Sequence, residues 1–354
     1  MDLHTLTTRT TDPHERGTLV GTRFGDSVRG VAELYLEHFA ALGLTGEQVR
    51  AVAERSHEAL RAWAPGLAEE SDACADAAGT ARWKVAAVGA RTEVLAGCPA
   101  PGGGECSTAV FAPAGAAPQT VQTWDWHDRL VPGALLHELT PAEGRTVKLF
   151  TEFGAPGKIG VNSAGLGVHF NILFHTSDSG SGGVPVHAVA RRILDEADTL
   201  DRAVEIASTA RVGASTSLTV VTADSSAASL ELSPAGLAVV PADEDGWLLH
   251  TNHFLDPGLA AGEAGPADSM TAERFAHLRE VRAAMPGLSP AGRAEALCGS
   301  AGADAVVCMR PDEGRPPHEQ WGTLLTIGLD VTHCALDHLA GPPHEAGAKG
   351  LARF

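Results

Sequence analysis

The feature that most constrains the fold of this 354-residue chain is a segment of helix breakers, CPAPGGGE at residues 98–105, which separates two unlike halves. Its two prolines and three consecutive glycines cannot continue a helix, so we expect an exposed loop there. Before it, from about Gly17 to Leu95, apolar residues recur three and four positions apart, which predicts helices. After it, short β-branched and apolar runs predict strands. Together the halves predict an α+β protein with sheet packed between helices.

Local signals refine this pattern. Thr45 and Glu47 are expected to start the second helix of the first half. In the second half the clear helical segments are 185–210 and 271–285, and residues 322–340 predict a closing β-hairpin. The other strand predictions share alternating or β-branched apolar residues; they are 107–112, 120–126, 147–153, 158–174, 215–223, 228–234 and 237–242.

Charge and hydropathy exclude several classes of partner. The chain has 26 Lys plus Arg against 44 Asp plus Glu, a formal net charge of −18, which argues against nucleic acid and anionic membrane as partners. No segment reaches the roughly 18 apolar residues of a membrane helix, and the first residues lack the pattern of a secretory signal. We therefore expect a cytoplasmic protein whose partner is a small molecule, uncharged or cationic.

The cysteines and histidines show no metal or cofactor signature. The six cysteines have no CxxC spacing, so in a cytosolic chain we expect free thiols. The sixteen histidines form no HExxH motif, and no glycine-rich phosphate loop follows a predicted strand. Chemistry without a metal or cofactor is the expectation.

One cysteine stands apart by its position. Cys106 lies where the glycine-rich loop meets a predicted strand, in GGGECSTAVF, rather than on a helix face. Position alone leaves two interpretations open: a small buried apolar side chain or a catalytic thiol.

Several segments together resemble the acyl-coenzyme A:6-aminopenicillanic acid acyltransferase family. This family is isopenicillin N acyltransferase-like, is also called peptidase C45, and belongs to the N-terminal nucleophile hydrolases. The segments that carry the resemblance are RFGDSVRGVAELYLEHF, ARTEVLAG, ECSTA, VQTWDWHDR, IGVNSAGLGVHFN, STSLTVVTAD, LELSPAG, LHTNHF and GTLLTIGLDVTHCALDHLAGPP. The resemblance implies a four-layer αββα sandwich with a helical N-terminal segment. It also implies a precursor that cuts itself between Glu105 and Cys106, giving chains 1–105 and 106–354 that stay associated as a heterodimer.

The implied chemistry is consistent with the residues. The Cys106 thiolate would attack the Glu105 carbonyl in an N-to-S shift, favoured if the Gly102–Gly104 loop strains that peptide, and water would release the ester. The new α-amino group has an ordinary pKa of about 7.7 to 8, so Cys106 then carries both nucleophile and general base. No histidine partner is required.

The resemblance also assigns other site residues. Asp125, between Trp124 and Trp126, would orient the new ammonium or thiol, and tryptophans shield a carboxylate from water and shift its pKa. Asn252 in HTNHF would donate its NH2 to the oxyanion, a contribution of roughly 3 kcal/mol. Asn171 corresponds to an oxyanion asparagine of the related choloylglycine hydrolases.

Further residues have weaker assignments. Ser217, Arg310 and Trp126 are the substrate-binding candidates. Asn162 is interpreted as a turn residue beside Gly165.

Three functions remain in competition. The favoured one is an N-terminal cysteine enzyme of specialised metabolism that hydrolyses a linear amide or passes its acyl group from a donor to an amine acceptor. The second is an uncleaved, non-catalytic scaffold that keeps the fold; Glu105 and Thr123 depart from the residues usual in the family and keep it open. The third, an ordinary cysteine protease using Cys106 and a histidine, does not explain the Asp125 and Asn252 motifs.

Overall fold

The computed structural model describes residues 1–98, 106–266 and 269–354. The predicted loop 98–105 and the cleavage residue Glu105 therefore fall outside the described residues, except for Cys98.

Helices dominate the first half of the chain and return between strands in the second. In chain order they are α1 Pro13–Ala41, α2 Gly46–Trp63, α3 Pro65–Ala78, α4 Arg82–Gly89, α5 Arg91–Leu95, α6 Val186–Glu196, α7 Leu200–Ser208, α8 Pro257–Ala260, α9 Thr271–Val281, α10 Pro290–Ala296 and α11 Ala346–Lys349. Segment 185–210, predicted as one helix, is two helices because Thr199 caps the start of α7 with its side chain. The second helix begins at Thr45 as predicted, and Gln48 rather than Glu47 completes the capping box.

The strands follow the predicted runs and add four that the segment list lacks, β1, β4, β11 and β14. They are β1 Asp2–Thr8, β2 Ser107–Phe111, β3 Gln119–Trp126, β4 Gly133–Leu139, β5 Val147–Glu152, β6 Ile159–Asn162, β7 Leu166–Ile172, β8 Thr216–Thr222, β9 Ala227–Ser233, β10 Gly236–Pro241, β11 Trp247–His250, β12 Gly322–Asp330, β13 Ala335–Leu339 and β14 Ala352–Arg353. The closing hairpin is confirmed as the antiparallel pair β12–β13.

Within the described residues the strands form two sheets. The larger has the order β1-β4-β5-β6-β7-β8-β9-β10 and the smaller the order β11-β2-β3-β12-β13-β14. All neighbours are antiparallel apart from β1 and β4, which are parallel. The N-terminal segment is thus not purely helical, because β1 contributes an edge strand to the larger sheet.

The two sheets stack face to face between two helical layers. Trp124 of β3 meets Phe150 of β5 edge-on at 5.0 Å between ring centroids, in the core between the sheets. On the opposite face of the smaller sheet, Val121 and Leu249 belong to a second core with Leu278 of α9. Helices α6 and α7 pack on the outer face of the larger sheet. The predicted four-layer αββα sandwich is confirmed, and the central strands such as β7 and β8 explain it, since they bury both faces.

The turn between β6 and β7 matches its prediction. Asn162 accepts hydrogen bonds from the backbone N–H groups of Ala164 and Leu166, and Gly165 has φ +85°. That backbone conformation favours glycine, so Asn162 is the turn residue predicted.

Candidate functional site

Cys106 lies at the entrance to β2, and side chains hold both of its backbone polar groups. Its N–H donates to Asn252 Oδ1 at 2.8 Å. Its carbonyl accepts from Arg274 Nη1 at 2.7 Å and from Asn171 Nδ2 at 3.1 Å. We call Asn171, Asn252 and Arg274 the Cys106 clamp. The clamp holds Cys106 in place through side chains, because the strand pairing of β2 begins one residue later, at Ser107.

The loop after β11 carries Asn252 to this position. β11 pairs with β2, so His250 lies opposite Thr108 and the following residues reach the start of β2. Buried Glu231 of β9 anchors the loop by accepting from the N–H of Leu255 at 2.7 Å and by pairing with His250 at 2.8 Å. Asn252 is 4% exposed, so its amide acts in a nearly dry environment. His250 therefore helps Glu231 to hold the loop that carries Asn252.

The orientation of the Asn252 amide differs from the predicted one. Its oxygen faces Cys106 N–H and also accepts from Arg274 Nη2 at 2.9 Å, while its Nδ2 donates to the Ile172 carbonyl at 2.9 Å. Two donors on one side and an acceptor on the other fix this orientation. The amide oxygen holds the nitrogen of Cys106, and one N–H of the NH2 group is already used.

Asn171 belongs to a buried hydrogen-bond network between the sheets. Its Oδ1 accepts from Thr108 Oγ1 at 2.8 Å and from Gln122 Nε2 at 3.3 Å. Ser217 lies directly across from it in the pairing of β7 with β8, so the two side chains share a face. The buried Ser217 Oγ has no hydrogen-bond partner among the described residues. The structure thus brings Ser217 beside the clamp.

Asp125 is fully buried on β3 and interacts electrostatically with Cys106. Burial, followed by the negative charge of Asp125, raises the pKa of the Cys106 thiol to about 11. The backbone N–H of Asp125, which hydrogen-bonds to the thiol, and the charge of Lys158 act in the opposite direction. In the described chain the thiol is therefore protonated, and a nearby base is needed to activate it.

The last two candidates have different surroundings. Trp126 is buried and donates from Nε1 to the Tyr35 hydroxyl at 2.8 Å, beside the same core as Cys106. Arg310 is exposed; its Nη2 donates to the Ala303 carbonyl at 2.9 Å, and it pairs with Asp304. The structure does not bring Arg310 to the buried group, because the guanidinium lies at the surface beside a short 3₁₀ helix.

Arg274 is not among the residues predicted from the sequence. It is fully buried on α9, one turn before Leu278 on the helix face that packs on the smaller sheet. An arginine in the apolar stripe of a helix was the available signal, since a buried charge needs partners. Those partners are Cys106, Ser107 and Asn252, with Ser107 Oγ at 3.1 Å from Arg274 Nη1.

The described residues contain neither a cluster of metal ligands nor a helix able to cross a membrane. In residues 1–98, 106–266 and 269–354, no three His, Cys, Asp or Glu side chains are grouped to hold a metal ion. In the same residues no helix combines the length and hydropathy needed to span a bilayer. The six cysteines are free thiols, as predicted.

Comparison with known proteins identifies one family. The family model described as acyl-coenzyme A:6-aminopenicillanic acid acyl-transferase matches residues 115–295, a range that contains Asp125 and the whole clamp and begins after Cys106. The chain is 33% identical over 146 residues to the 40 kDa form of acyl-coenzyme A:6-aminopenicillanic-acid-acyltransferase from Emericella nidulans. That match covers 41% of this chain and 40% of the relative.

Solved structures show lower similarity. Penicillin V acylase from Agrobacterium tumefaciens is 14% identical with a TM-score of 0.45, covering 66% of this chain and 83% of that one. A variant of conjugated bile acid hydrolase from Clostridium perfringens is 11% identical with a TM-score of 0.39, covering 66% and 89%. Because the family model matches more than half of the residues, this chain belongs to the acyl-coenzyme A:6-aminopenicillanic acid acyltransferase family.

Proposed function

We propose that the chain cuts itself between Glu105 and Cys106 and then uses Cys106 as an N-terminal nucleophile that takes the acyl group from a small linear amide. The proposed boundaries are 1–105 for the smaller fragment and 106–354 for the larger, which remain associated. Cytoplasmic location and a place in specialised metabolism stay predictions from the sequence.

The observation that carries this proposal is the clamp. Asn252 Oδ1 accepts from Cys106 N at 2.8 Å, and two further side chains hold the Cys106 carbonyl. A residue held this way stays in place when the peptide bond before it breaks, because none of its holding contacts depends on that bond. After cleavage the same Asn252 oxygen would accept from the α-amino group and direct it toward its own thiol.

The cleavage reaction consumes one water molecule and needs no other reagent. The Cys106 sulfur attacks the Glu105 carbonyl carbon, the C–N bond breaks, and the nitrogen takes the thiol proton as a thioester forms. Water then hydrolyses the thioester, leaving the Glu105 carboxylate, the free thiol and the α-amino group. Asp125 would hold the resulting ammonium or thiol, and its electrostatic interaction with Cys106 supports this role.

Turnover repeats the same chemistry on a substrate. The thiol attacks the amide carbonyl, and its proton passes through the α-amino group to the departing amine. The Asn171 and Asn252 NH2 groups each use one N–H in the structure. The second N–H of either group would donate to the oxyanion. Water or an amine then resolves the acyl-thioester, giving hydrolysis or transfer.

The test uses the mature protein with N-acyl p-nitroanilides and hydroxylamine as acceptor. We expect p-nitroaniline release, an acyl adduct on Cys106 by mass spectrometry, and an acid or hydroxamate product that separates hydrolysis from transfer. Alkylating Cys106 with iodoacetamide should abolish release. Turnover that survives complete alkylation of Cys106 would contradict the proposal.

One observation favours the scaffold as a second candidate. Cys106 is 4% exposed, and burial with the Asp125 charge raises the pKa of its thiol to about 11, so we expect the uncut chain to react slowly with outside reagents. A scaffold would keep that state permanently. Purified protein that stays uncut and resists iodoacetamide at Cys106 would favour the scaffold.

A further inference from the structure

Two cysteine thiols contact each other in the second core, behind the smaller sheet. Cys298 Sγ lies 3.6 Å from Cys308 Sγ. The two residues are 1% and 7% exposed, and they share this core with Leu278 of α9. The chemistry proposed at Cys106 uses neither thiol.

The turn between the two cysteines brings them together. Cys298 lies just after α10, and a 3₁₀ segment, Gly299–Asp304, leads back toward Cys308. Gly302 in this segment has φ +54°, a backbone conformation that favours glycine. The sequence therefore builds a turn that places one sulfur against the other.

The gap between the sulfurs is small enough to close. Bonded sulfurs are about 2.05 Å apart, so the two atoms must approach each other by roughly 1.5 Å. Rotation of the two side chains moves a sulfur atom by distances of this size. The helices and sheets around the pair can therefore stay in place while a disulfide forms.

The two thiols differ in acidity. The hydrogen bond between them lowers the pKa of Cys308 in spite of its burial, and hydrogen bonding to His344 acts in the same direction. The same hydrogen bond, followed by burial, raises the pKa of Cys298. Because the thiolate is the form that peroxide oxidises, Cys308 would react first and Cys298 would resolve the product.

The segment between the cysteines lies at the surface. Gly299, Ser300 and Asp304 are exposed, so a small oxidant has only this segment to pass. Hydrogen peroxide is little larger than water, whereas a peptide disulfide is far larger than the gap beside a 7% exposed residue. Peroxide is therefore the class of oxidant that suits this pair.

The pair also lies between two elements that serve the site. On one side, the Leu297 carbonyl accepts from His277 Nε2 at 2.8 Å, and His277 belongs to α9, the helix of the clamp arginine. On the other side, Met309 N–H donates to Thr323 Oγ1 at 2.9 Å, and Thr323 lies opposite Asp125 in the pairing of β12 with β3. A bond between the two sulfurs would therefore brace α9 against β12.

We propose that Cys298 and Cys308 are a peroxide-sensitive dithiol, which closes to a reversible disulfide bracing α9 against β12. The Cys308 thiolate attacks one oxygen of hydrogen peroxide, the O–O bond breaks, and a sulfenic acid and hydroxide form. The hydroxide takes up the proton that the Cys308 thiol released. The Cys298 sulfur then attacks the Cys308 sulfur, and the S–O bond breaks as water leaves with the Cys298 proton.

In total, two thiols and one hydrogen peroxide give one disulfide and two waters, so the sulfurs are oxidised and the peroxide oxygens are reduced. Thiol reductants reverse the reaction, and in a reducing compartment the pair would return to thiols. This site goes beyond the proposed function and does not depend on it.

The first test maps the thiols after oxidation. Purified wild-type protein is treated with hydrogen peroxide, unfolded, labelled with iodoacetamide and digested with trypsin, which leaves both cysteines on peptide 294–310. We expect this peptide to become unlabelled and two hydrogens lighter at least tenfold faster than Cys74 oxidises, and dithiothreitol to restore both labels. Cys74 is the matched control because it is also 7% exposed, on α3. A peptide that stays fully labelled, or that oxidises no faster than Cys74, would overturn the proposal.

The second test separates the roles of the two thiols. Cys298→Ser keeps a hydrogen-bond donor for Cys308 but removes the resolving thiol, so Cys308 should gain two oxygens that dithiothreitol does not remove. Cys308→Ser should leave Cys298 mostly a thiol under the same treatment. If a serine variant does not fold, the alanine variant replaces it. The reverse pattern would contradict the assignment of Cys308 as the attacking thiol.

The third test measures the brace. Oxidised wild-type protein should unfold at a temperature about 3–5 °C higher than reduced protein, because the disulfide closes a short loop in the unfolded chain. Cys74→Ser should keep this rise and Cys298→Ser should lose it. A wild-type protein that forms the disulfide without the rise would contradict the brace. All three tests run unchanged on protein that stays uncut before Cys106, so their failure is distinct from failure of the proposed function.

Discussion

Two buried polar groups flank Cys106 and differ in how completely they are paired. In the clamp, the oxygen and the nitrogen of both asparagine amides have partners, and Arg274 donates to three oxygen atoms. The second group consists of buried Tyr35, Arg91, Glu152, Lys158 and His187, and in it Arg91 Nε and Nη1 and both His187 ring nitrogens have no hydrogen-bond partner in the described residues. A fully paired network holds a fixed geometry. We therefore expect the clamp to control self-cleavage.

Removing Arg274 should have the largest effect. Arg274→Met deletes three charged hydrogen bonds around Cys106, each worth about 1.5–3 kcal/mol. Even one of them, lost in the transition state, slows cleavage on the order of ten- to a hundredfold, and together we expect about a thousandfold or more. The rate of self-cleavage is measured on denaturing gels, which show the precursor and its two fragments at times after a pulse of expression.

Arg279→Met is the matched control, since Arg279 lies exposed on the same helix and should leave cleavage unchanged. Cleavage of Arg274→Met at the wild-type rate would break the distinction between the two groups.

The second-largest effect is expected for substitutions of Asn252. They test whether the oxygen or the NH2 group of its amide matters more. In a fully processed enzyme, Asn252→Ala should lower kcat by roughly a hundredfold while KM changes little. Asn252→Asp keeps an oxygen for Cys106 N and Arg274 and loses the donor to Ile172, so it should retain more activity than the alanine variant if the oxygen matters most. The reverse order would assign the role to the NH2 group, as first predicted from the sequence.

Asp125→Asn should slow cleavage by about tenfold and has a distinctive second consequence. Because the charge of Asp125 raises the pKa of the Cys106 thiol, its removal should shift alkylation of that thiol to lower pH. The measurement is iodoacetamide labelling of Cys106 against pH, resolved by peptide mass.

Asp128→Asn is the control, because Asp128 is exposed just after β3. An unchanged pH midpoint with normal processing would mean that Asp125 takes no part in the chemistry of Cys106.

The last prediction concerns stability and not rate, and it is made for buried Glu93. Its Oε1 accepts from Val186 N–H at 2.9 Å, linking α5, which carries Arg91, to α6, which carries His187. Burial raises the pKa of Glu93 to about 7, so the folded chain keeps a proton that the unfolded chain releases at about pH 4.5.

The free energy of unfolding should therefore fall as pH rises from about 4.5 to 7. Glutamine does not titrate, so Glu93→Gln should lose this pH dependence. Above about pH 7 the free energy of unfolding of Glu93→Gln should exceed that of wild type by on the order of 3 kcal/mol. Urea unfolding at a series of pH values checks it. Parallel curves for both proteins would mean that Glu93 is ionised in the fold.

The sequence predicts the layers better than it predicts the buried charges. The predicted run at 215–223, which becomes the fully buried strand β8, is mostly β-branched and apolar, so a sheet covered on both sides follows from local pattern. The edge strand β1 is missing from the prediction because its seven residues are mostly exposed and gain their place from pairing with β4.

The site residues also differ in how well the sequence predicts them. The Cys106, Asp125 and Asn252 motifs are local, and the structure places them together. The pairing of Arg91 with Glu152 joins residues 61 positions apart, which no local pattern encodes, and Arg274 is separated from Cys106 by 168 positions. Charges in apolar stretches signal burial, but they do not name their partners.

The most direct test of the central claim is the intact mass of purified wild-type protein and of Cys106→Ala. We predict two wild-type fragments, 1–105 and 106–354, that co-elute in native buffer, and a single uncut chain for the alanine variant. A wild-type protein that remains one chain, or a Cys106→Ala protein cut at the same bond, would contradict the account.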